Sequence, residues 1–110
     1  MGLNAKELAA NMLGAALPIL QGGASDIETY AKSEFIKIAQ AMVMIGSQYA
    51  TEEINDEQAR LLLRMQENAS RAVLLTVRGM TLLTAEQAIN AALDCVKSAV
   101  NTALGFVLIV

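Results

Sequence analysis

The amino-acid sequence predicts an all-α protein: an antiparallel four-helix bundle with one short N-terminal helix and three long ones, associating into oligomers. Three observations carry this. Four N-cap signals each precede an apolar pattern of period near 3.6, no stretch alternates in the manner of a strand, and the links between the later helices are short.

The caps are Asn4-Ala-Lys-Glu7, Ser25-Asp-Ile-Glu28, Asn55-Asp-Glu-Gln58 and Thr84-Ala-Glu-Gln87. In each, a Ser, Thr or Asn oxygen is placed to accept from a free N–H of the first turn. A Glu or Gln three residues on is placed to reach back to the cap. The helices are expected at about 5–20, 26–52, 56–82 and 85–108 of a single domain, residues 1–110. Pro18 removes a backbone donor, so the first helix is expected to kink or end there. Gly22-Gly23 then makes a flexible turn, which permits the first helix to pack on its own chain or on a neighbour. Links near 53–55 and 83–84 make the last three helices antiparallel neighbours, each roughly 40 Å long. The first is expected as a short partner or arm.

Helix faces follow from periodicity. The second helix carries a seam of Phe35, Ile38, Met42, Ile45 and Tyr49. A second row, Ile27, Ala31, Glu34, Ile38, Ala41 and Ile45, is interrupted by one carboxylate. The third is expected to pack through Leu61, Leu62, Met65, Ala69, Ala72, Leu75, Gly79 and Leu82. The fourth has a narrow polar stripe, Glu86, Asn90, Asp94, Lys97 and Asn101, and is otherwise apolar. So wide an apolar arc means burial on more than one side. Ile89, Leu93, Val96, Val100, Leu104 and Val107 are therefore the expected subunit interface.

Composition supports that expectation. Hydrophobic residues make up 55% of the chain, above the roughly 45–50% of ordinary domains. Charged residues are 17%, below the usual figure of about 25%. A short chain has much surface for its volume and needs polar cover, so the apolar excess points to a partner surface or a membrane.

Arg60, Arg64, Arg71 and Arg78 share a face of the third helix with Glu67. This stripe is expected to solvate the outer face. Glu34, lying inside an apolar row, needs a partner, and pairing across the hairpin brings Arg71 or Arg78 level with it, within the chain or across a subunit boundary. A buried ion pair of this kind sets register more than it adds stability.

Other chemistry is sparse. The sequence has no histidine, which removes Ser–His and Cys–His catalysis and the usual zinc and di-iron ligand sets. Of the carboxylates Glu34, Glu53, Glu57, Glu67 and Asp94, only Glu34 looks inward as a metal ligand. Gly22-Gly23 lacks the rest of a phosphate loop. Gly46, Gly79 and Gly105 read as close-packing points, the six methionines as core filler, and Cys95 as a small buried hydrophobe. The pI near 4.8 and the lack of aromatics among the arginines argue against nucleic acid. Leu8–Leu20 only faintly resembles a signal peptide, and the uncharged run from Ser98 to Val110 is too short to span a bilayer as a helix.

Three functional expectations follow, none involving a cofactor. The first is a non-catalytic self-assembly or interaction protein (a scaffold, adaptor or particle component) whose partner is itself or another helical protein, in the cytoplasm or within an assembled particle. The second is a membrane-active protein, a pore former, holin-like hairpin or lipid binder, with helix 1, Ala72–Leu83 and the C-terminal GFVLIV supplying the apolar surface. The third is a ferritin-like carboxylate bundle holding a metal.

Overall fold

Four helices run Ala5–Leu20 (α1), Ile27–Ala50 (α2), Asp56–Leu74 (α3) and Leu82–Leu104 (α4) in a computed structural model that describes residues 3–20 and 26–110. No strand occurs among the described residues. The expected Ser25 cap and Gly22-Gly23 turn lie outside them.

Local signals explain most of the boundaries. Asn4 Oδ1 accepts from the Glu7 N–H at 3.1 Å. Asn55 and Gln58 form the full reciprocal capping box that opens α3. α1 continues through Pro18 to Leu20, because a proline in the last turn removes little of the helix ladder.

The α3–α4 connection differs from expectation. α3 stops at Leu74, and residues 75–80 form successive turns. The β-branched Thr76 and Val77 favour helix weakly, and Thr76 turns its hydroxyl back to the Val73 carbonyl at 2.6 Å. Gly79 takes φ +87°, a left-handed conformation that glycine adopts without steric cost. It is therefore a turn residue, not a packing point. The true cap of α4 is Thr81, whose Oγ1 accepts from the Thr84 N–H at 3.1 Å. Thr84 is consequently the third residue of the helix, which starts about one turn earlier than expected. At the other end Gly105, at φ +78°, terminates α4 as a left-handed cap.

The helices form a square in which α1 packs on α2 and α4, and α2 packs on α3. The α3–α4 edge makes much lighter contact. α1 is thus a structural member of the core rather than an arm. Met12 and Ala16 on α1, Phe35, Ile38 and Met42 on α2, and Ile89 and Val100 on α4 are fully buried together. Alanines at 9, 31, 39, 85, 88 and 92 are buried among them and allow the backbones to approach closely.

The α3–α4 gap is closed at one end by the C-terminal tail. Leu108 and Ile109 are buried. Asn101 holds their backbone: its Oδ1 accepts from the N–H of Leu108 at 3.0 Å and of Ile109 at 2.9 Å, and its Nδ2 donates to the Ile109 carbonyl at 2.9 Å. Arg60 Nε donates to the Val107 carbonyl at 2.8 Å. The Phe106 ring stacks on Tyr49 with centroids 3.9 Å apart. The tail therefore ties α2, α3 and α4 together.

Replacing Asn101 by Ala removes three hydrogen bonds and leaves buried backbone groups unpaired. A loss of about 1–3 kcal/mol is expected, measurable as a lower urea midpoint. Thr81→Ala should cost about 1 kcal/mol as a lost N-cap, and more than Thr84→Ala. The reverse order would place the cap at Thr84 after all.

Candidate functional site

Two surfaces stand out, one on each side of α3. Burial along this helix follows Ala59, Leu63, Ser70 and Leu74. That line is rotated by nearly half a turn from the apolar stripe expected to pack. The stripe itself faces solvent: Leu61 is 53% exposed, Met65 57%, Leu62 37% and Leu75 40%, with Ala69 and Ala72 exposed alongside. α2 adds Met44, 62% exposed, beside it. Together Ala41, Met44, Ile45 and Gln48 of α2 and Leu62, Met65, Gln66 and Ala69 of α3 line an open groove between the two helices. It contains no charged side chain.

The surface expected from α4 is not available. Ile89 and Val100 are fully buried, Val96 is 2% exposed and Leu93 7%: α1 packs along the apolar arc that seemed to need a second subunit, and Leu93 faces the α3–α4 cleft closed by the tail. Leu104 is half-buried against the same core, and only Val107 is exposed. The wide arc of α4 is a within-chain interface.

On the opposite side of α3, Arg60 and Arg64 border an open polar cleft of about 410 Å³, Arg64 remaining exposed as expected of a solvated stripe. Arg60, Arg64 and Glu67 form one wall, Asn90, Leu93 and Asp94 the other, and Leu108, Ile109 and Val110 close it off. Arg71, further along, directs Nη1 to Asn68 Oδ1 at 2.7 Å and holds Nε 4.0 Å from Glu86 Oε1. That Nε is buried without a hydrogen-bond partner, so the pair with Glu86 is a loose electrostatic contact. Arg60 also lies 3.9 Å from Asp56. Arg78 falls beyond the end of α3 and is exposed.

Glu34 is buried as its position in the apolar row implied, at 2% exposure. Its partner is Lys37, Nζ to Oε2 at 3.0 Å, in place of Arg71 or Arg78. The i,i+3 spacing brings the two side chains together on one helix face. The lysine stem also lets the ammonium stay in water while it reaches the carboxylate. This pair was readable in the sequence as a helix-face neighbour. With Glu34 held by Lys37, the sequence's one inward metal candidate has a cation already. Among the described residues no three Asp, Glu or Cys side chains stand together in a way that suits a metal. Glu53 and Glu57 lie exposed at the α2–α3 turn, and Cys95 is exposed too, its Sγ 3.7 Å from the Asn11 carbonyl.

Among the described residues two ionisable groups are perturbed. Partial burial pushes Glu67 above the ordinary glutamate range, and Arg71 and Arg64 oppose that only in part. Hydrogen bonding to Asp56, helped by desolvation, raises the Tyr49 phenol, with Arg60 pulling the other way.

Comparison with family models, with curated proteins and with solved structures finds no match. The surfaces themselves therefore carry the functional argument.

A glutamate whose pKa is higher folded than unfolded favours the folded state most when protonated. Its contribution is complete below the unfolded value and is lost as pH rises through the folded one. Glu67→Gln should therefore raise the thermal midpoint at about pH 7, and the gain should vanish at about pH 3, where native Glu67 is itself neutral. An equal shift at both pH values would remove titration as the cause.

Proposed function

We propose that the chain is a non-catalytic self-assembly protein that associates through the groove between α2 and α3. The observation that carries this is the exposed apolar stripe of α3, continued onto α2 by Met44. An amphipathic helix normally turns its richer apolar face inward. Here the richer face is left outside, contiguous, uncharged and formed by large flexible side chains. Surfaces of this kind mark association sites, and methionine adapts well to a packed partner. Scaffold, adaptor and particle component are all uses of such a surface.

The membrane reading has less support. Among the described residues no helix is long and apolar enough to cross a membrane. Of the apolar segments that suggested it, α1 buries Leu8, Met12 and Leu20, while the other two are divided: Leu74, Val77, Leu108 and Ile109 are buried and Leu75, Leu82, Leu83, Val107 and Val110 are exposed.

Light scattering on a size-exclusion column, in buffer without detergent, tests the proposal. The native chain should elute at a defined multiple of 11.7 kDa. Met65→Asp, placed on an already exposed position, should elute as a monomer with unchanged helical circular dichroism. Val100→Ala should lower stability by about 2 kcal/mol and leave the mass unaltered. A native chain that stays monomeric at high concentration would overturn the reading.

A further inference from the structure

We infer that the occupant of the α2–α3 groove is a second copy, related by a two-fold axis that crosses the groove at right angles to both helices at the level of Met44 and Met65. Each helix then meets its own counterpart antiparallel. This rests on the α2–α3 face being the self-association surface, and it specifies how two copies fit.

The groove has three rungs. α2 and α3 run antiparallel about the 51–55 turn, so positions whose numbers sum to about 109 lie level. The middle rung is Met44 with Met65. About one turn away, some 5 Å, Ala41 and Ala69 face each other and both walls are low. About one turn in the other direction Gln48 and Leu62 face each other and both walls are high. The groove is thus hollow at one end and raised at the other.

Two face-to-face arrangements are self-complementary in symmetry. An axis parallel to the helices keeps every rung at its own level, so the hollow rung meets the hollow rung and leaves an unfilled space. The raised rung meets the raised rung and holds the faces apart. Gaps of that kind forfeit dispersion contacts on both linings. The perpendicular axis inverts one copy. Leu62 and Gln48 then drop into the hollow made by the partner's Ala69 and the partner's Ala41, at both ends at once. The four methionines meet in the middle, where flexible thioethers fill irregular space.

Charge favours the same choice. Lys37 lies seven residues before Met44, exposed along most of its side chain. Inversion about Met44 brings it to the level of the partner's Thr51, beside the exposed carboxylates of the partner's Glu52 and the partner's Glu53. The parallel axis would leave it level with the partner's Ala72. The perpendicular relation therefore places the Lys37 ammonium, which also holds Glu34 of its own chain, beside two further carboxylates at each end of the interface, a rim complementarity that selects orientation.

Cysteine cross-linking with light scattering tests the axis. Met65→Cys and Met44→Cys are each made with Cys95→Ser, so that one thiol is present, and oxidised mildly. A disulfide needs Cα atoms within about 7 Å. Each variant alone should convert to a covalent dimer of twice 11.7 kDa. Dimers that cross-link only when the two variants are mixed, or not at all, would overturn the perpendicular axis while self-association stands. A monomeric native chain would overturn both. Ala69→Leu gives a second measurement on an exposed position. Filling the hollow should weaken the dimer at least tenfold, because the partner's Leu62 occupies that space. A tighter dimer would favour the parallel axis and overturn the inference.

Discussion

The fold depends on α1 filling the space between α2 and α4. It is only 16 residues long, yet Met12 and Ala16 are fully buried and Leu8, Ala9 and Leu20 nearly so. Few charges interrupt it, so two of its sides can be apolar at once. By covering α2 and α4 simultaneously it uses up both of their widest apolar arcs. The chain's hydrophobic excess is then displaced to the one helix that α1 does not touch substantially, α3.

That displacement organises the rest. α3 needs only one packed face, and it uses the line of Ala59, Leu63, Ser70 and Leu74 against α2. Its remaining circumference divides in two. One part is the arginine stripe, which looks across a polar cleft to Asn90 and Asp94. The other is the leucine and methionine stripe, which has no cover among the described residues. The α3–α4 edge stays loose because the facing side chains are polar on both helices: Arg64, Glu67 and Arg71 against Glu86, Asn90 and Asp94. Such groups keep part of their hydration and do not pack as methyl groups do. The tail compensates at one end, where Asn101 supplies to Leu108 and Ile109 the backbone partners that a neighbouring strand would otherwise provide.

The electrostatics are consistent with a structural role. Arg60 fastens the tail, Arg71 holds Asn68 and lies near Glu86, and Lys37 neutralises the buried Glu34. Arg60 and Arg71 thus link α3 to the tail and to α4, while Lys37–Glu34 and Arg71–Asn68 are contacts within one helix. The uncharged groove lies on the far side of α3, so the proposed association and the internal cohesion would use different faces of the same helix.

The sequence by itself determined the number of helices, the caps at Asn4 and Asn55, the seam of α2 and the inward position of Glu34. Each of these rests on interactions within a few residues, which periodicity and cap chemistry record directly. Tertiary structure alone decided which faces meet. An apolar arc looks the same in sequence whether α1 or a second subunit covers it, so Ile89, Leu93, Val96 and Val100 read as an interface until α1 was placed beside them. The same ambiguity inverted α3, whose richer stripe was left outside because the poorer line already satisfied α2. The early end of α3 at Leu74 and the capping of α4 by Thr81 depended on Gly79 adopting a left-handed turn, and glycine permits both that turn and a helix. The tail's strap was hidden for a different reason. Its partners Tyr49, Arg60 and Asn101 lie on three helices that only the folded chain brings together.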